Sequence, residues 1–367
     1  MDEEVEVGRF RLRVFWFIGR GLRGMHETVS QRMKLLRQCR RLPDLQRAVD
    51  RLLRQIPTGH FSTYGDLADA LGDRVASRWV GHYMLHHAHD QNCPCHRVVR
   101  ADQTLGVYVS GRAEDKARRL AGEGVNVRDD RVTDDTNWFR QFRTDRPLAP
   151  LAGLQDRLRS AVSLRSPRKL PDVIAGVDVS YSSPTEAVAA YALVDLMDRE
   201  LVWSVTLRRQ AAFPYISGYL AFRELPILLE VIDAARAAGK LAAVTLVDGS
   251  GILHPRGAGV ASFLGLASGL RTVGVTKKLL CGSVEQSGSP PTGLRRILHH
   301  GRHIGAAVYP RGGGRRPLYV SPGHRINVTF AARLVTNLIA DHKLPEPIYW
   351  ADRLSRQQAA DGVVGRR

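Results

Sequence analysis

The chain has 367 residues, 44% hydrophobic and 25% charged, which excludes a disordered or collagen-like polymer and suffices for two or three domains with cores. Lys+Arg number 54 against Asp+Glu 36, a formal +18, and such a surplus favours a polyanionic partner, most simply nucleic acid. Four scattered cysteines (Cys39, Cys93, Cys95 and Cys281) exclude a disulfide scaffold and point to a reducing, cytoplasmic and nucleoid-associated setting.

Residues 1–42 read as a basic tail. Its apolar run Val14–Ile18 follows Asp2, Glu3 and Glu4 and meets Arg20, so it is too short for a signal peptide; Met25 and Met33 offer later starts. No stretch reaches the ~18 apolar residues that span a bilayer, so no membrane partner is expected. Over 43–127, Leu45, Val49, Leu52 and Leu53 recur at helical spacing, and Pro57-Thr58-Gly59 ends that helix. Thr63-Tyr64-Gly65-Asp66 opens a second helix, which Gly72 closes, and a third is expected from Ala76 to His86. Two short helices around such a turn make a helix-turn-helix or, more blandly, an αα-hairpin.

Residues 128–150, charged and ending in Pro147 and Pro150, read as a linker. In 151–355, strands are expected at Val173–Val179, Ala187–Leu196 and Leu201–Leu207, an antiparallel meander. A helix from Leu220 to Ala238 and a buried strand from Leu241 to Val247 follow, and 356–367 reads as a tail. Meander, helix and buried strand together make an α/β layered domain.

Asp178 lies inside an apolar strand, Asp248 ends the next buried strand, and Glu224 lies near the start of the intervening helix. A buried carboxylate is costly unless it is paired or holds a metal, and an oxygen-only set suits Mg²⁺ or Mn²⁺. Taken singly, each Asp reads equally as a turn or helix cap. The surrounding words change that: Ala175-Gly176-Val177-Asp178-Val179-Ser180-Tyr181, then Phe213-Pro214-Tyr215-Ile216-Ser217-Gly218-Tyr219, then Val247-Asp248-Gly249-Ser250-Gly251, then Thr276-Lys277-Lys278 and Ser321-Pro322-Gly323-His324-Arg325. In this order they resemble endonuclease V, a deoxyinosine-specific nuclease family with an RNase H-like fold, and Ala351-Asp352 resembles that family's C-terminal end. The resemblance implies that Asp178 and Asp248 ligate Mg²⁺ and that Glu224 completes the metal site directly or through water. It implies Lys277 orienting the phosphate or attacking water, and His324 at the scissile phosphate. Pro214, Tyr215, Ile216 and Ser217 would form a strand-separating wedge, and Gly218, Leu220, Gly249, His254 and Gly259 would line the hypoxanthine pocket. The implied cut lies one nucleotide 3′ of the lesion.

In the first block the sharpest word is Pro94-Cys95-His96-Arg97-Val98-Val99, since His beside Cys can take its proton. As a lone pair, it reads as a buried structural cysteine. With Thr63-Tyr64-Gly65, Ser77-Arg78-Trp79-Val80-Gly81, Ser110-Gly111 and Gly122-Glu123-Gly124, it resembles the DNA-binding half of O6-alkylguanine-DNA alkyltransferases and their catalytically silent relatives. The resemblance implies Cys95 as alkyl acceptor, His96 as its activator, Glu123 as the brace of His96, Tyr64 rotating the nucleotide, Arg78 filling the vacated stack, and Ser110 in the lesion site. His87 stands where that family has asparagine. His82, His86, His87, His89, Cys93 and Cys95 are residue types suited to zinc, but no familiar zinc spacing is met and Cys95 has the acceptor's role.

The expectation is therefore a helix-turn-helix, winged-helix-like alkyltransferase domain followed by an RNase H-like α/β domain with a mixed sheet. The expected function is DNA repair on deoxyinosine and O6-alkylguanine, with Mg²⁺ or Mn²⁺. Two alternatives stay open: a first domain that only binds alkylated lesions, and a nuclease acting on inosine in RNA. The sequence indicates no protein partner.

Overall fold

The structure is a computed structural model that describes residues 4–7, 10–13, 42–90, 92–286, 293–309, 316–340 and 342–364. Within the expected N-terminal tail it describes an antiparallel pair, β1 (Glu4–Val7) and β2 (Phe10–Arg13); the Val14–Ile18 run and Cys39 lie outside the described residues.

The first domain starts with α1 (Leu45–Leu53), where the Asp44 carboxylate accepts the Arg47 N–H at 3.0 Å and the expected apolar stripe is buried. The strand β3 (Ser62–Thr63) leads into α2 (Tyr64–Leu71) through a capping box, Thr63 and Asp66 satisfying each other's backbone N–H groups. Gly72 ends α2 at φ 107°, a left-handed geometry that side chains disfavour. A short 3₁₀ turn, Arg74–Ala76, then opens α3 (Ser77–His86), completing the helix-turn-helix. The strand β4 (Val98–Val99) pairs in parallel with β3, and α4 (Ala113–Gly122) closes the domain.

Residues 128–150 do not run free as a linker. They begin in a hairpin of β5 (Val127–Arg128) and β6 (Arg131–Val132) and then strap across the first domain. Trp138 Nε1 donates to Asp66 at 2.8 Å, the Phe139 N–H to the Phe61 carbonyl at 2.7 Å, and the Leu148 N–H to the Leu71 carbonyl at 2.8 Å. Apolar residues in the segment, Val132 and Leu148, are fully buried, and that burial outweighs its charged composition.

After α5 (Ala149–Ala161) comes β7 (Val173–Ser183), β8 (Glu186–Asp195) and β9 (Leu201–Gln210), the expected meander. Helix α6 (Leu220–Ala237), strand β10 (Val244–Asp248), helix α7 (Val260–Ser268) and strand β11 (Arg271–Thr276) follow. The strands β12 (Ser283–Val284), β13 (Leu294–His299), β14 (Arg302–Val308) and β15 (Leu318–His324) complete a nine-stranded mixed sheet, ordered β12-β13-β14-β15-β11-β10-β7-β8-β9. Helices α6 and α7 cover one face, and α8 (Val328–Leu338) and α9 (Glu346–Val364) the other. Residues 356–364, expected as a tail, continue α9, and Ala359 on it is buried. Among the described residues no helix is long and apolar enough to cross a membrane.

Candidate active site

Strands β7 and β10 are parallel neighbours with Val177 beside Val247, so the next residues, Asp178 and Asp248, stand side by side on one face. The third carboxylate comes from α9. Gly176 lets that helix rest directly on β7: a Cβ at Gly176 would fall 2.0 Å from the Pro347 carbonyl oxygen. One turn on, Asp352 reaches the pair, and carboxylate oxygens of Asp178, Asp248 and Asp352 lie within 4.8 Å of one another. Ser355 Oγ, fully buried on α9, donates to Asp178 at 3.0 Å. Lys277 Nζ stands 3.5 Å from Asp248 and 3.6 Å from Asp352.

The carboxylates repel one another in a dry setting. Burial, then the Asp248 and Asp352 charges, push Asp178 up to about 7. Burial raises Asp248 against the pull of Lys277. Glu224 on α6 is wholly buried, and burial followed by the Asp178 charge holds it well above the usual carboxylate range. Its Oε1 accepts the Tyr181 hydroxyl at 3.1 Å, and it stands outside the compact trio but near enough to feel the Asp178 and Asp248 charges, which leaves the water-mediated place of the two expected for it. A divalent cation would relieve this repulsion, and the oxygen donor set suits a hard one.

In the first domain, Cys95 and His96 are buried on a 3₁₀ turn, Pro94–Arg97. His96 Nε2 meets Glu123 Oε1 at 2.9 Å, and Arg97 grips the same carboxylate at 2.7 and 2.8 Å. Burial acts to raise Glu123, but the bonds from Arg97 and His96 overcome it and hold the carboxyl down at about 2. Burial lowers His96, which leaves it neutral, and its buried Nδ1 has no partner among the described residues. The Cys95 thiol is pushed up by its hydrogen bond with Cys93 and by burial. Beside it opens a cleft of about 730 Å³, lined by His87, His89, Tyr108, Ser110 and Arg118 among others. Lys116, buried on α4, donates to the Leu105 carbonyl at 2.6 Å and to the Tyr64 hydroxyl at 3.5 Å.

The profile of the endonuclease V family matches residues 156–353, more than half of the chain. A relative from Thermoplasma volcanium named bifunctional methyltransferase/endonuclease is 35% identical over 290 residues, covering 77% of this chain and 81% of its own. The chain belongs to the endonuclease V family. A second profile, the DNA-binding domain of 6-O-methylguanine DNA methyltransferase, matches residues 44–125. The human endonuclease V crystal structure superposes with a TM-score of 0.54 at 32% identity, covering 59% of this chain and 99% of that one. Endonuclease V of Ciona intestinalis, crystallised with DNA containing an inosine followed by a ribo-adenosine, gives 0.53 at 27% identity, again covering 59% and 99%.

In this endonuclease V, the residues expected at the scissile phosphate divide. Lys277 is at the acidic trio, whereas His324 is not. His324 pairs with Thr272 at the start of β11, and Asp248 pairs with Val275 near that strand's end. Three strand residues, ~10 Å, and two inter-strand steps separate them. His324 instead accepts the Ser163 N–H at 3.3 Å and packs against α7. The residue that joins the pair instead is Asp352, which sequence reasoning left without a role; its signal was a polar pair, Asp352 and Ser355, on the helix face that carries buried Ala351. Lys116 was also missed, although it falls four residues before buried Leu120 on the same stripe.

The wedge residues form the loop before α6: Ile216 is an apolar anchor, Pro214 is half-buried, Ser217 is exposed, and Tyr215 stands 62% exposed. The Gly218 carbonyl accepts from Gln155 Nε2 at 2.8 Å and faces the His254 ring at 3.2 Å; Leu220 is half-buried at the helix start. Burial, then Arg256, lowers His254 to about 4. At Gly249 and Gly259 a Cβ would press on Val260 and Ser250, so close packing within the chain already requires glycine there. Arg78 is exposed on α3, and Tyr64 sits half-buried at the start of α2.

Proposed function

We propose that the chain is a DNA repair enzyme of the cytoplasm that nicks DNA one nucleotide 3′ of deoxyinosine, and that its first domain moves the alkyl group of O6-alkylguanine to Cys95. The observation that carries the nuclease is the convergence of Asp178, Asp248 and Asp352 beside Lys277. These carboxylates would hold Mg²⁺, with Mn²⁺ as the alternative; such an ion, when bound, supplies charge neutralisation at the phosphate and a more acidic water. Ser355 fixes the Asp178 oxygen, and Lys277 offers its ammonium to a phosphate oxygen. Tyr215, on an exposed loop, stacks into the gap left by an extruded base, which costs least where pairing is weak, as at inosine. The inosine-containing DNA on the Ciona relative supports this substrate.

For alkyl transfer, neutral His96 takes the Cys95 proton through a bridging water and shares the resulting charge with Glu123. The thiolate attacks the alkyl carbon, the S–C bond forms as the C–O6 bond breaks, and the proton that His96 took from Cys95 passes back through water to the released guanine. The test is a duplex with one deoxyinosine, incubated with full-length protein and Mg²⁺. A nick from wild type and none from Asp248→Ala is expected, and an intact wild-type lane overturns the reading. Labelled methyl from O6-methylguanine DNA should stay on wild type and not on Cys95→Ser.

A further inference from the structure

Outside the acidic trio, one other group of ligand-type side chains converges among the described residues: His87, His89, Cys93 and Cys95, each offering one nitrogen or sulfur within 4.8 Å of the others. We propose that this quartet binds one Zn²⁺ at the floor of the first domain's cleft. His87 Nε2 lies 3.1 Å from Cys93 Sγ, and His89 Nδ1 lies 3.4 Å from Cys95 Sγ. A tetrahedral zinc site with its usual bond lengths sets neighbouring ligand atoms ~3.6 Å apart, so both pairs already stand near the edges of that tetrahedron.

The surroundings fit a ligand set. His87 Nδ1 bonds to the Met84 carbonyl at 3.0 Å, which fixes the tautomer that leaves the Nε2 lone pair free. His87 is the residue that ends α3, and Cys93 immediately precedes the turn that carries Cys95, so the ion would join α3 to the Pro-Cys-His turn. Two thiolates and two imidazoles select a soft or borderline ion and discriminate against Mg²⁺. Cys93 and Cys95 are not joined in a disulfide. The competing account is a hydrogen-bonded Cys–His relay with no ion. It accounts for the two hydrogen-bonded pairs but not for all four ligand atoms lying within 4.8 Å of one another. With the ion bound Cys95 is already a thiolate, so the proton transfer to His96 described above belongs to the metal-free protein.

Cobalt substitution separates these accounts, because thiolate-to-cobalt charge transfer cannot arise at the all-oxygen acidic trio. Full-length protein, stripped with chelator and kept reduced with a phosphine, is titrated with Co²⁺ and then Zn²⁺. The expected result is a near-ultraviolet charge-transfer band with tetrahedral visible bands, saturating at one equivalent and bleached by one equivalent of Zn²⁺. Cys93→Ser and the exposed-site variant His89→Ala should each weaken Zn²⁺ binding at least ~100-fold, beyond the loss typical of an outer-shell change. Asp248→Ala should leave the band intact. Absence of the band in wild type, or a band that persists in Cys93→Ser and Cys95→Ser alike, overturns the proposal.

Discussion

The two sites of this molecule are built in different ways. The acidic trio is set by sheet register and by one helix resting on a glycine, so each carboxylate is fixed by backbone geometry. The Cys95 site is assembled from the end of a helix, a short turn and side-chain bonds, with His89 exposed. A site fixed by backbone pairing moves little, whereas one fixed by side chains gains order from whatever binds it.

The sharpest way to break this contrast is at the trio. Asp178→Asn should lower the nicking rate at least ~100-fold without altering label transfer to Cys95, read in parallel assays. Next, Asp352→Asn should cost about 10- to 100-fold, whereas His324→Ala should stay within about 3-fold; equal losses would undo the placement of His324 away from the chemistry. Asp73→Ala, which removes a carboxylate bonded by Tyr219 at 2.7 Å and by Arg256, should destabilise by about 1.5–3 kcal/mol, seen as a lower urea midpoint. The smallest effect is at Glu123. Its carboxyl is depressed from 4.5 to about 2, so its stabilisation is complete above pH 4.5 and lost as pH falls toward 2. Glu123→Gln should thus cost about 1–2 kcal/mol near neutrality after solvent screening, and the gap to wild type should close on acidification.

Legibility in the sequence followed the same division. Alternating apolar runs named β7, β8 and β9, and the turn chemistry of Thr63 to Asp66 and Gly72 gave α2 its ends. Asp178 and Asp248 stood out because a charge inside or at the end of an apolar strand needs a reason. Asp352 did not, because a carboxylate on an amphipathic helix is ordinarily solvated; only the seating of α9 on Gly176 turns it inward. His324 misled for the opposite reason: its neighbouring word is distinctive, but antiparallel pairing of β15 carries it to the far end of β11. The strap at 128–150 was hidden by its charge, since Trp138, Val132 and Leu148 anchor it at isolated points without a period.

One carboxylate ties the halves together. Asp73 Oδ1 accepts the Val75 N–H at 3.1 Å, capping the turn that launches α3, while Oδ2 is held by Tyr219 and Arg256 from two loops of the second domain. The fusion is therefore more than a leash that keeps two tools close. Asp73 is at once a cap inside the first domain and a cross-tie to the second, so removing its carboxylate would loosen both.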